Sequence, residues 1–170
     1  MADPSEHDLG DVDEIDAESI GEPGHRTFRI LAEKGDTTLS LWVEKEQLEA
    51  LAVVIDQQIT RTAPRGASEE SVIMTLASRF PSNPTMDFKA GRLAVGYDDR
   101  RHRLVFTAHD LEEGDEEKVT SYKWAASRPQ VRALSAKITD IVAAGRPRCP
   151  LCGAPIEGTH ICPASNGRAH

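Results

Sequence analysis

What this chain lacks narrows its class before any motif is read. Its 170 residues contain no run of about 18 apolar residues, the least a membrane-crossing helix needs. No basic stretch followed by an apolar one stands at the N-terminus, so a secretory signal is not expected. Aromatic residues are only 5% of the chain, which makes the core mainly aliphatic. Three cysteines are odd in number and too few for a disulfide framework. Catalytic signatures are missing as well: there is no Gly-x-Ser-x-Gly elbow, no glycine loop to cradle a phosphate and no His-Glu-x-x-His. The expectation is a soluble, cytoplasmic protein of one main domain, leaning away from enzyme.

Charge is present but unevenly placed. The formal net charge is −8, yet residues 1–22 hold nine acids and no Lys or Arg, which leaves the remainder almost neutral. A segment so acidic and so poor in large apolar groups cannot offset its ordering entropy, and it reads as a disordered tail over 1–22. The sharper alternative is an acidic arm that docks on a basic partner or covers a basic patch of its own domain. A second acid run, from Asp110 to Glu117, reads as a solvated loop between strands.

Period-2 alternation marks the strands. Phe28, Ile30 and Ala32 share one face, and after Lys34-Gly35-Asp36 so do Leu39, Leu41 and Val43, which is a hairpin pattern. Leu48, Leu51, Ala52, Ile55 and Ile59 then follow helical spacing, predicting a helix from Lys45 to about Thr60. A further short helix is expected over Ser71 to Phe80. Strands follow at Lys89 to Tyr97, Arg103 to His109 and Lys118 to Trp124. The last helix opens on the capping box Ser127-Arg128-Pro129-Gln130 and stops at Gly145 and Pro147. The fold expected over 23–145 is α+β: an antiparallel sheet of about five strands, ordered ββα then βββα, with helices on one face.

All the cysteines crowd into the last 22 residues, as Cys149-Pro150-Leu151-Cys152-Gly153 and then His160-Ile161-Cys162. In the resulting C-x2-C-x7-H-x-C spacing, the first pair and its following glycine form the turn that closes two thiolates on one ion. His160 and Cys162 complete a Cys3His set whose soft donors favour Zn2+. A redox Cys-x-x-Cys usually opens a helix, whereas this one follows a Pro-broken linker and is trailed by Gly153, Pro155 and Gly158. An iron site or free thiols are the remaining readings. Residues 146–170 are therefore expected to be a small zinc-ribbon or knuckle-like module, folded by its metal.

Several segments carry a resemblance to a known family. Gly21-Glu22-Pro23-Gly24-His25-Arg26-Thr27-Phe28, Glu44-Lys45-Glu46-Gln47-Leu48 and Ala94-Val95-Gly96-Tyr97-Asp98 occur in that order. Ala143 to Gly153 and His160-Ile161-Cys162-Pro163 follow, with Asn166-Gly167 behind them. Over about residues 20–168 the chain resembles the domain-of-unknown-function 3090 family, common in actinobacteria. The resemblance implies no activity, only a cytoplasmic role beside phosphoryl or thiol metabolism. The long acidic N-terminal extension departs from the short starts of that family.

Three functions follow as expectations. The first is a zinc-stabilised, non-enzymatic binding or adaptor protein acting on a protein partner, with Trp42 as a candidate contact unless it packs beneath the middle segment. The second is nucleic-acid binding, through Arg146, Arg148 and Arg168 around the cluster and Arg100, Arg101 and Arg103 at a hairpin tip. An enzyme is the third, with His102, His109 and Asp110 near one another along the chain but no visible nucleophile.

Overall fold

The computed structural model describes residues 6–63, 83–110, 119–145, 149–154, 156 and 160–165. The helix expected over 71–80 lies outside these residues, as do most of the 110–117 acid run and Arg146, Arg148 and Arg168. Seven strands and two helices follow in order: β1 (Glu6–Asp11), β2 (Glu14–Ile20), β3 (Thr27–Lys34), β4 (Thr37–Val43), α1 (Lys45–Arg61), β5 (Met86–Asp98), β6 (Arg103–Asp110), β7 (Ser121–Ser127) and α2 (Arg128–Ala143). They form one mixed sheet, ordered β1-β7-β6-β5-β4-β3-β2. The α+β class stands, but the antiparallel sheet of five strands does not. Two of the pairings are parallel, β4 with β5 and β1 with β7.

The larger correction concerns residues 1–22. Residues 6–20 of that segment are not a disordered tail but supply both end strands of the sheet. Val12, Ile15 and Ala17 are buried in the core, and four acids beside them have basic partners in the body. Glu18 pairs with Arg29, Asp16 with Lys137, Asp13 with Lys34 and Asp11 with Arg101. The arm covering a basic patch of its own domain is therefore the alternative that holds.

Since β1 and β2 end the sheet yet adjoin in sequence, the sheet must bend until its two edges meet. They meet at Val12 and Asp13, whose amides donate to Ala125 of β7 and Glu33 of β3, at 2.9 and 2.7 Å. β5 bends in the same way: Met86 to Lys89 run parallel to β4, and after a bulge Arg92 to Asp98 run antiparallel to β6. The chain thus consists of two halves with one plan: a long bent strand, two antiparallel strands and a helix. The first part of each long strand lies parallel to the other half's last strand.

Matching glutamines hold the two bends. Gln47 accepts from the Glu44 amide at 2.8 Å and donates to the Ala90 carbonyl at 3.4 Å, at the bulge of β5. Gln130 accepts from the Ser127 amide at 2.8 Å and donates to the carbonyls of Asp13 and Val12, at 3.0 and 3.3 Å. Its capping role was legible from Ser127-x-x-Gln130, whereas its strap across β1 and β2 was not. Gln130→Ala removes both, and should lower unfolding stability by about 1–3 kcal/mol in a urea titration.

Both helices pack into a single core with the inward residues of the sheet. α1 contributes Leu48, Leu51, Ala52, Ile55 and Ile59, as its spacing required, and α2 contributes Val131, Leu134 and Ile138. Phe106 stacks on Trp124, ring centroids 5.3 Å apart. Ser135 lets the helices approach, its hydroxyl donating to Asp56 at 2.7 Å. Arg128 reaches from the start of α2 to the Ile59 carbonyl at the end of α1, at 2.6 Å.

Candidate metal centre

Beyond α2, local backbone chemistry shapes a knuckle. The Gly153 amide donates to the Cys149 carbonyl at 2.8 Å, and the Cys149 amide to the Ala154 carbonyl at 2.9 Å. Gly153 takes a φ of 72°, a left-handed conformation that glycine adopts without steric cost. This turn folds Cys152 back beside Cys149. His160 and Cys162 stand beside them, just ahead of a short 3-10 turn at Pro163–Ser165.

The four side chains meet. Their ligand atoms all lie within 4.8 Å of one another, which is close enough to hold a metal ion. Cys149 Sγ stands 3.6 Å from Cys162 Sγ, and Cys152 Sγ 3.2 Å from His160 Nε2. A disulfide needs sulfurs about 2.05 Å apart, so this gap is not one. Two sulfurs on a tetrahedral ion, each at about 2.3 Å, sit about 3.8 Å apart, and the observed spacing fits that geometry. Cys149 and Cys162 are buried, whereas Cys152 is exposed.

Electrostatics already favours one thiolate. The amides of Cys152 and Leu151 point at Cys149 and lower its pKa from 9.0 to about 6. The Ala154 amide acts in the same sense on Cys152, but partial desolvation by its neighbours and the sulfurs of Cys162 and Cys149 outweigh it and hold that thiol up. Two adjacent sulfurs resist both being charged until a cation arrives.

The remaining candidate residues lie elsewhere. Arg101 and Arg103 at the β6 hairpin tip face Asp11, at 2.6 and 3.6 Å, and Arg101 holds the Asp11 carboxyl below its ordinary value. Two of the three basic tip residues are thereby tied to the protein's own acid, while Arg100 is exposed. His102 and His109 do not form a site. One sits at the tip, its Nδ1 3.2 Å from Tyr97 Oη, and the other stands at the far end of β6, roughly 23 Å along the strand. Trp42 is half-buried, its indole N–H donating to Asp87 at 2.7 Å and the Arg29 guanidinium 5.4 Å from its ring.

A bent sheet in two equivalent halves, with a Cys3His knuckle after the second, defines an α+β protein that carries a candidate metal centre. Residues 7–162 match a family described as protein of unknown function (DUF3090), and the chain belongs to it. The match begins inside β1, so the acidic N-terminal strands are part of the family's domain and not an extension to it. No curated protein matches the chain, and no solved structure does. Among the described residues, no helix is long and apolar enough to cross a membrane.

Proposed function

We propose that this protein is a zinc-stabilised, non-enzymatic binding protein that acts on a protein partner in the cytoplasm. The observation that carries this reading is the complete ligand set. Three sulfurs and an imidazole lie close enough to hold one ion, and four such ligands on a tetrahedral zinc would leave no position for substrate or activated water. Such a centre supplies folding energy to a short segment and no reaction.

What the knuckle presents supports a partner of protein chemistry. Of the four large apolar side chains exposed among the described residues, two flank the ligands: Leu151 at 57% and Ile161 at 70%. Exposed apolar groups fixed on a rigid turn gain contact area at small entropic cost when another protein covers them. Arg101 and Arg103, already engaged by Asp11, are poorly placed to bind phosphates.

The test separates metal from contact. A Leu151→Ser, Ile161→Ser double variant should keep its zinc yet lose the partner that the native chain captures. Loss of about 2 kcal/mol of binding or more is expected for two such anchors. Equal capture by both proteins would remove the knuckle from the interface. A salt-steep shift on short RNA or DNA would overturn the protein-partner reading.

A further inference from the structure

A cleft of about 640 Å³ opens between the start of β3, the end of β4, the first turn of α1 and the parallel part of β5. Two segments that carry the family resemblance, Gly21 to Phe28 and Glu44 to Leu48, lie on either side of the β3–β4 hairpin. Both reach this cleft, through Arg26–Phe28 and Glu44–Glu46. Its volume lies within the range of ligand pockets, about 300–1,000 Å³. It also lies beyond the carboxyl end of β4 where a helix begins, a common position for binding sites beside parallel strands.

The two halves of the fold provide an internal comparison. Trp42 pairs with Lys89 across the parallel ladder and with Arg29 across the antiparallel one. The same register position in the second half is Ala125, which pairs with Asp11 and Val105. There the ions of Asp11, Arg101 and Arg103 crowd the corner. In the first half the corner is open and carries an indole.

The charges select the ligand. Glu44 holds Lys89 at 2.8 Å, and Asp87 accepts from Trp42. Arg26 spends two guanidinium nitrogens on the carbonyls of Ile141 and Ala144 at the end of α2, which orients its charge without neutralising it. Among the described residues no ion pair holds Arg26, and Lys45, between Glu44 and Glu46 in the chain, has its ion pair with Glu49, at 3.9 Å one turn along the helix. Arg26 and the loosely paired Lys45 are thus the cations that a carboxylate would meet, while Glu46 and the second oxygen of Asp87 can accept amide N–H groups. A polyanion would meet three acids here. A peptide end would meet partners for each of its groups.

We propose that this cleft binds the C-terminal carboxylate of an extended peptide whose last side chain is apolar and packs on Trp42. The inference rests on the protein-partner reading above and supplies a second contact for that partner. Trp124 is fully buried, so a fluorescence change on titration reports Trp42. Acetylated tetrapeptides ending in Leu or Phe are the probes, with their amides and N-acetyl-leucine as comparisons, and calorimetry follows the variants.

Saturable binding of the free acids is expected, about tenfold tighter than the amides, since a charge-assisted contact is lost on amidation. Lys45→Gln should weaken the acids by a similar factor without altering metal content or the unfolding midpoint. Trp42→Leu should weaken acids and amides alike. No saturable heat with any free-acid tetrapeptide, or equal affinity for acids and amides, overturns the proposal. N-acetyl-leucine binding as tightly as the tetrapeptides overturns it in favour of a small carboxylic acid. Partner capture that depends on Leu151 and Ile161 while the cleft fails these tests leaves the adaptor reading standing and removes only the cleft.

Discussion

Protein purified without chelator will carry one zinc ion per chain, and Cys149→Ser or Cys162→Ser will bring that content below about a tenth. Both sulfurs are buried within the ligand set, so a serine hydroxyl there offers a poor donor with no room to rearrange. His160→Ala should retain some metal, because water can take the position of a half-buried imidazole. Elemental analysis reads the stoichiometry, and cobalt substitution reads the ligands through thiolate charge-transfer bands. The unfolding midpoint of the main sheet should move little in these variants. Its core, from Val12 to Ile138, is complete without the knuckle. A metal-free native protein with an unchanged C-terminal segment would refute the centre.

The cluster of Cys149, Cys152, His160 and Cys162, close enough to hold a metal ion, was legible because short-range spacing and donor chemistry constrain each other: Cys149-x-x-Cys152-Gly153 is a turn before it is a site. α1 and α2 were legible for a related reason, since helical hydrogen bonds are local and the buried stripe repeats within the segment. Ser127 and Gln130 even marked where α2 starts. Sheet topology was hidden, because alternation assigns the faces of a strand but not its neighbour. Nothing local in Glu6–Asp11 announces that its partner is β7, more than a hundred residues on. The acidic segment was misread because composition averages over positions. Nine acids outweigh Val12, Ile15 and Ala17 in any tally, yet those three point inward while Asp11, Asp13, Asp16 and Glu18 find bases on other elements. The Trp42 cleft needed the fold, since its walls come from four elements.

Deletion of residues 1–20 distinguishes a tail from a structural arm by its size of effect. A solubilising tail could be removed at almost no cost. Here the deletion strips both end strands, exposes the free edges of β3 and β7, and uncovers the core against which Ile15 and Ala17 pack. Burial of Val12 and Ile15 alone is worth about 3–6 kcal/mol, comparable with the whole stability of a small domain. The expected outcome is a chain that does not fold cooperatively and aggregates through its unpaired edges. A gentler variant tests the same contact inside an intact chain. Lys137→Met leaves the Asp16 carboxylate, 7% exposed, without its ammonium partner, and should cost about 3–5 kcal/mol in urea unfolding. Adding Asp16→Asn should recover much of that loss, since the uncompensated charge is then gone. A Lys137→Met protein as stable as the native one would show that the acidic arm lies on the sheet without holding it together.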